Sequence, residues 1–163
     1  DNISEEELAG MLYENSDEPY CEELAKAITN EIRRGNRIDT TTKLRNVIEK
    51  TLDFLPNNKE KKDIIKKTCQ RTFQALRIDV NNEFEVLYEF MEKLPEALKP
   101  GGRVAILTFH SGEDKLVKKA LKAGYKEGIY SEYARDVVRP SAQECAQNGR
   151  ARSTKMRWAV KAE

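Results

Sequence analysis

The sequence has little of what stabilises small secreted proteins or spans membranes. Its three cysteines are far apart and odd in number, which fits neither a disulfide framework nor paired metal ligands. The longest apolar run, Val104 to Leu107, is far shorter than the roughly 18 residues that a membrane span needs. The first 23 residues carry nine carboxylates and no Lys or Arg, so we expect neither a signal peptide nor a basic transit peptide. These absences favour a reducing compartment, the cytoplasm or, in a eukaryote, the mitochondrial or plastid matrix, and no membrane partner.

Charge is abundant but nearly balanced. Charged residues make up 35% of the 163 residues, with 29 basic and 28 acidic side chains, against a usual charged share of about 25%. This composition predicts a helix-rich protein with a large solvated surface. The charge is polarised along the chain, because Lys59–Arg71 carries six basic and two acidic residues and Arg150–Lys161 carries five basic and none acidic.

Capping signals and apolar spacing predict five helices before residue 98. Ser4 and Glu7 form a capping box, Thr40 to Thr42 supply N-cap oxygens for a later helix, and another helix follows Asn58. The last of the five is expected to end at Pro95. We predict no strand in this part of the chain.

The spacing of the apolar residues changes from helical to strand-like after a Gly-Gly turn. Arg103 to Phe109 predicts a strand buried on both faces, and Ser111 with Asp114 signals the start of the next helix. This unit of helix, turn, strand and helix is typical of an α/β fold. Weaker signals predict a strand over Tyr133 to Val138, a short helix over Ser141 to Ala146, and a last strand over Ser153 to Val160.

Three blocks of sequence resemble the MraW (RsmH) family of S-adenosylmethionine-dependent methyltransferases. They are Thr72–Glu83, the block Lys99-Pro-Gly-Gly-Arg-Val-Ala-Ile-Leu-Thr-Phe-His-Ser-Gly-Glu-Asp114, and the tail segments Arg139–Ser141 and Arg150–Arg157. The resemblance covers essentially the whole chain. It implies methylation of the exocyclic N4 amine of a cytosine in small-subunit ribosomal RNA.

The resemblance also implies a fold class and two domains. Residues 1–78 resemble the family's inserted helical lobe, and residues 79–163 resemble the C-terminal part of its Rossmann-like class I methyltransferase sheet, which is then incomplete. The glycine-rich cofactor turn is not found here, because Gly101-Gly102 lies before a strand, whereas such a turn follows one. We therefore expect no cofactor-binding residue in this chain and no activity from it alone. Gly112 stands where the family has a bulky residue.

His110 is the single histidine and the one candidate catalytic residue. It follows the predicted strand, where α/β sheets present ligand-binding groups. It either positions the target base or orients its own loop through a hydrogen bond, and it is not needed as a strong base. No metal ligands are predicted.

Several polar residues are candidates for contacts to RNA. Arginine and lysine can neutralise phosphates, although a solvated strand edge or, on the helix, anchoring of the lobe explains the same pattern. Glu113 and Asp114 are expected to favour the helix start through its dipole. The candidate RNA contacts are Gln74, Arg77, Asn81, Ser111, Arg150, Arg152, Lys155 and Arg157.

The sequence thus predicts part of a ribosomal RNA cytosine-N4 methyltransferase. Its expected partners are small-subunit ribosomal RNA or the ribosomal subunit, and either the remaining half of the enzyme or a second copy at the unpaired strand edge. S-adenosylmethionine is the cofactor expected for the intact family enzyme. Two alternatives remain, a non-catalytic RNA-binding or ribosome-associated module and a helical interaction protein.

Overall fold

The chain divides into two compact units, Asp1–Asn82 and Glu83–Glu163. A computed structural model describes residues 3–163. The predicted boundary between residues 78 and 79 falls inside a helix that runs on to Asn81. Each unit has its own hydrophobic core and is described separately.

Within residues 3–82 the first unit contains four helices, α1 (Glu5–Ser16), α2 (Cys21–Arg33), α3 (Thr41–Thr51) and α4 (Lys59–Asn81). Two of them start at the predicted caps, and α4 follows Asn58 as expected. The side chains of Ser4, Thr40 and Asn58 each accept a hydrogen bond from a backbone N–H of the first turn. The capping box of Ser4 and Glu7 is confirmed. The core side chains that are fully buried here include Leu12, Leu24, Ile48 and Leu52.

A buried ion pair connects the α1–α2 loop to α4. The Glu18 side chain is fully buried, and Arg71 Nε donates to its Oε2 over 2.6 Å. The other carboxylate oxygen accepts from the backbone N–H of Tyr20 over 3.0 Å. Both oxygens of this buried carboxylate are therefore satisfied.

The second unit is a layer of helices on a three-stranded sheet. Along the chain it contains α5 (Glu83–Ala97), β1 (Arg103–Thr108), α6 (Ser111–Lys126), β2 (Tyr130–Tyr133), α7 (Ala142–Gln147), a 3₁₀ turn (Gly149–Ser153) and β3 (Lys155–Lys161). The strand order is β1-β3-β2, and β3 runs antiparallel to both neighbours. β1 therefore lies at an edge of the sheet.

The helices cover one face of this sheet. Val104 and Ile106 of β1 pack on a core formed by residues of both helices and the other two strands, namely Met91, Leu94, Val117, Leu121, Tyr130 and Ala159. On the opposite face, Leu107 is 57% exposed. The prediction of a strand buried on both faces is therefore wrong in this structure. A run of apolar residues does not reveal which faces other elements cover.

Three predicted boundaries are also corrected. The strand predicted over Tyr133 to Val138 lies earlier, at Tyr130–Tyr133, and Val138 makes only an isolated bridge with Met156. Pro95 lies inside α5, which continues to Ala97. The last strand begins at Lys155, because Ser153 belongs to the preceding 3₁₀ turn.

Candidate functional site

The candidate site lies where β1 ends and α6 begins. The N-cap of α6 is His110, whose Nδ1 accepts a hydrogen bond from the backbone N–H of Glu113 over 3.4 Å. In return, the Glu113 carboxylate accepts from the backbone N–H of Phe109 over 2.9 Å. Ser111, predicted as part of the cap, is instead the exposed first residue of the helix. The cap is reciprocal, like a capping box, but is built on a histidine.

These hydrogen bonds fix how the imidazole can be used. Because Nδ1 accepts a hydrogen bond, the proton of the neutral ring is on Nε2. Nε2 lies 3.5 Å from Oε1 of Glu113, and the His110 side chain is only 10% exposed. In this arrangement Nδ1 is used within the junction, which suits His110 to positioning the first turn of α6.

Phe84 packs against this junction and occupies the space above Gly112. Its ring meets the imidazole of His110 edge-on, with centroids 5.8 Å apart. A Cβ atom at Gly112 would lie 2.6 Å from Cζ of Phe84. The glycine at a position where the resemblance implies a bulky residue is therefore explained by Phe84, which fills that volume.

One group of possible metal ligands occurs among residues 3–163. Glu83, His110 and Glu113 each place one ligand atom within 4.8 Å of the others. However, a metal ion at Nε2 would have to displace the proton that the hydrogen bond at Nδ1 keeps there. The group is therefore better suited to ordering the junction than to holding a cation.

Two of the backbone amides at this junction are not available to a ligand such as S-adenosylmethionine. Here the amides of Phe109 and Glu113 are already used by side chains. The Gly-Gly turn is closed as well, because Gly102 N–H donates to Lys99 O over 2.8 Å.

A second buried ion pair supports the junction from below. Arg157 of β3 is 5% exposed, and its Nε and Nη2 donate to the two oxygens of Asp114 over 2.7 and 3.1 Å. Its Nη1 faces the carbonyls of Ala134 and Arg135. The hydrogen bonds from Arg157 hold the pKa of Asp114 below its ordinary value. Asp114 thus binds a specific arginine in addition to lying in the first turn of α6.

The predicted RNA contacts in the tail differ in how far they are buried. Arg157 faces the interior, whereas Arg150 and Arg152 are exposed on the 3₁₀ turn and Lys155 is half-buried. Asn148 caps that turn, because its Oδ1 accepts from the backbone N–H of Arg150 over 3.1 Å. In the part of the chain that the structure describes, no carboxylate forms an ion pair with Arg150 or Arg152.

The remaining candidates lie in the first unit or at the start of α6. Arg77 and Asn81 are exposed on α4, and Gln74 is half-buried there. They belong to the unit Asp1–Asn82, whereas His110, Ser111 and the basic tail belong to Glu83–Glu163. The contact between Asp114 and Arg157 was not predicted, since the two residues are 43 positions apart and no local pattern joins them.

Comparisons with known proteins agree with the resemblance. The model of the MraW methylase family matches residues 1–162. A protein of Agathobacter rectalis named Ribosomal RNA small subunit methyltransferase H 1 is 88% identical over 163 residues, which cover all of this chain and 46% of that protein. A protein of the same name from Lachnoclostridium phytofermentans is 71% identical over 160 residues, 98% of this chain and 43% of that protein.

More distant relatives match over a similar extent. A Rickettsia prowazekii protein named Ribosomal RNA small subunit methyltransferase H is 36% identical over 174 residues, which include 96% of this chain and 54% of that protein. The chain thus spans about half the length of the curated relatives that it matches. None of the helices in residues 3–163 is long and apolar enough to cross a membrane. With a family match over 162 of its 163 residues, the chain belongs to the MraW methylase family.

Proposed function

We propose that this chain forms the RNA-facing part of an enzyme that methylates the N4 amine of a cytosine in small-subunit ribosomal RNA. S-adenosylmethionine is the methyl donor in this proposal, and residues outside the chain hold it. Family membership and the names of the relatives support the reaction class. The observation that carries the RNA contact is the exposed pair Arg150 and Arg152, which no carboxylate neutralises among residues 3–163.

In this proposal the second unit is the C-terminal part of a class I methyltransferase sheet. The edge strand β1 has unpaired backbone groups on the side away from β3, and Leu107 and Phe109 are more than half exposed. Such an edge is a template for another strand. We propose that the remaining part of the longer enzyme pairs there, and that a second copy can take its place when the chain is alone.

His110 has a positioning role in the proposal. Its ring fixes the first turn of α6 at the end of β1, and Glu113 fixes the backbone of Phe109. Arg157 holds the same turn from the sheet through Asp114. Ser111 is exposed within this ordered turn and can face the RNA. The methylated amine needs an acceptor for one proton only, so no strong base is required from this chain.

Replacing both Arg150 and Arg152 by alanine is expected to weaken RNA binding by at least about tenfold. Each charge-assisted hydrogen bond to a phosphate contributes about 1.5–3 kcal/mol, and about 1.4 kcal/mol is a factor of ten. The measurement is fluorescence anisotropy of a labelled hairpin from small-subunit ribosomal RNA. A matched control replaces Lys26 and Lys50, two exposed lysines of the first unit, by alanine. Equal affinities of the two variants would contradict this contact.

A second candidate function is a non-catalytic RNA-binding module. The observation that favours it is the β1–α6 junction, where side chains already bind the amides of Phe109 and Glu113. This module would bind RNA with the same residues. A methyl-transfer assay with the rest of the enzyme added separates the two functions. Only the proposal of a methyltransferase predicts transfer.

A further inference from the structure

One side of α6 carries a row of lysines that the proposed function has not used. Lys115, Lys119, Lys122 and Lys126 follow one another at intervals of four, three and four residues, so they lie on the same side of the helix. Lys118 borders them. All five side chains are exposed, and no Asp or Glu occurs between residues 115 and 126. We call these five residues the lysine row.

Much of the row lacks the acidic partners that other lysines of the chain have. Lys43 pairs with Asp39 over 2.7 Å, Lys61 pairs with Asp53 over 2.9 Å, and Lys93 pairs with Glu89. By contrast, within residues 3–163 no carboxylate forms an ion pair with Lys119, Lys122 or Lys126. Lysines four residues apart also repel one another along the helix. The arrangement therefore weakens α6 by itself and suits a polyanionic partner.

We propose that the lysine row binds the phosphate backbone of an RNA strand. This inference rests on the proposed function and adds a contact surface to it. With a rise of about 1.5 Å per residue, successive lysines of the row are about 4.5–6 Å apart along the helix axis. A row of this spacing can contact several consecutive phosphates. Lysine ammonium groups are point charges, so these contacts position the strand without reading its bases.

The other face of α6 favours RNA over a lipid membrane as the partner. A helix that lies on a membrane inserts its apolar face among the lipids. In α6 that face is used by the protein itself, because Val117 and Leu121 are fully buried in the core of the second unit. The charged side of α6 remains exposed to a partner. Glu92 and Glu127 border the groove beside Lys115 and Lys119. The contact is centred on the lysines that form no ion pair among residues 3–163, namely Lys119, Lys122 and Lys126.

The test is the salt dependence of RNA binding by the 163-residue chain and by the triple variant Lys119→Gln, Lys122→Gln and Lys126→Gln. Each phosphate contact contributes about 0.7–0.9 to the slope of log affinity against log salt, so the variant is expected to lower the slope by about 2–3. The probes are a labelled hairpin from small-subunit ribosomal RNA and an unrelated hairpin of the same length. The substitutions should lower the affinities for the two hairpins by the same factor, since phosphates carry no sequence information.

A control of equal charge keeps the test specific. It replaces Lys26, Lys50 and Lys99, which are exposed and lie outside the row, by glutamine. Circular dichroism checks that α6 persists in the triple variant. If the wild-type chain binds RNA and the triple variant keeps the wild-type slope, the lysine row is excluded while the proposed function stands.

Two further outcomes also overturn the inference. Failure of the wild-type chain to bind the ribosomal hairpin even at low salt would exclude the lysine row together with the RNA contact of the proposed function. Binding to phosphatidylglycerol vesicles that the triple variant loses, with an unchanged RNA slope, would assign the row to a membrane instead.

Discussion

Replacing Asp114 by alanine is expected to lower the free energy of unfolding of the second unit by about 3–5 kcal/mol. The substitution leaves the guanidinium of Arg157 buried without its partner, and breaking a buried ion pair from one side has a cost of this size. Arg157 is 5% exposed and is held by two oxygens of Asp114. Urea denaturation followed by circular dichroism measures the change. Asp136→Ala, at an exposed carboxylate, is the control and should change stability by less than about 0.5 kcal/mol.

The ion pair of Asp114 and Arg157 also makes the stability of the protein depend on pH. The pKa of Asp114 is lowered in the folded protein by its hydrogen bonds with Arg157. The contribution of Asp114 to stability is therefore fully present above the ordinary pKa of an aspartate, near 4. It is lost as the pH falls through the lowered pKa. The difference in stability between wild type and Asp114→Ala should shrink in that range. A constant difference down to the lowest pH would contradict the assignment.

Replacing Arg71 by alanine is expected to have a similar effect on the first unit. It leaves the carboxylate of Glu18 fully buried without a cation, for which we expect a loss of about 3–5 kcal/mol. The measurement is again urea denaturation, with hydrogen exchange to locate the change. Exchange should accelerate in α1, α2 and α4, the helices that the pair joins.

The matched control for this prediction is Arg45→Ala. Arg45 also pairs with a glutamate, Glu49, over 2.7 Å, but its side chain is 65% exposed. An exposed pair of this kind contributes little to stability, because solvent screens the two charges. If Arg71→Ala and Arg45→Ala lower the free energy of unfolding equally, the burial of Glu18 does not determine the size of the loss. Partial recovery by Glu18→Gln in the Arg71→Ala background is expected, since it removes the unpaired charge.

The helices of the first unit were predictable because their start signals are local. Ser4, Thr40 and Asn58 each cap a helix with a side chain that bonds to an amide three residues further on. Such contacts are visible in a short stretch of sequence. The fourth helix ran past the predicted domain boundary because nothing in the residues before Asn82 stops it.

The second unit was harder to predict because pairing between distant segments decides its structure. The residues of β2 form a strand because they pair with β3, for example Tyr133 with Ala159. At the start of α6, serine is the usual cap, but His110 already has the extended backbone that an N-cap needs. The packing of Phe84 on Gly112 likewise joins residues 28 positions apart.

The sequence singles out some residues of the candidate site. His110 is identified from its position after the strand, but its hydrogen bond with the backbone N–H of Glu113 depends on the turn geometry. Arg157 was grouped with Arg150 and Arg152 because all three are basic, and the alternation of the strand does not tell which face is covered. Its partner Asp114 became visible only in the fold.

The central claim is that this chain supplies the RNA-facing part of a methyltransferase whose cofactor-binding residues lie elsewhere. The most direct measurement is transfer of a tritiated methyl group from S-adenosylmethionine to small-subunit ribosomal RNA. It compares the chain alone with the chain mixed with the part of the Agathobacter rectalis relative that it does not match, which is more than half of that protein. We predict transfer only in the mixture. Transfer by the 163-residue chain alone would contradict the account.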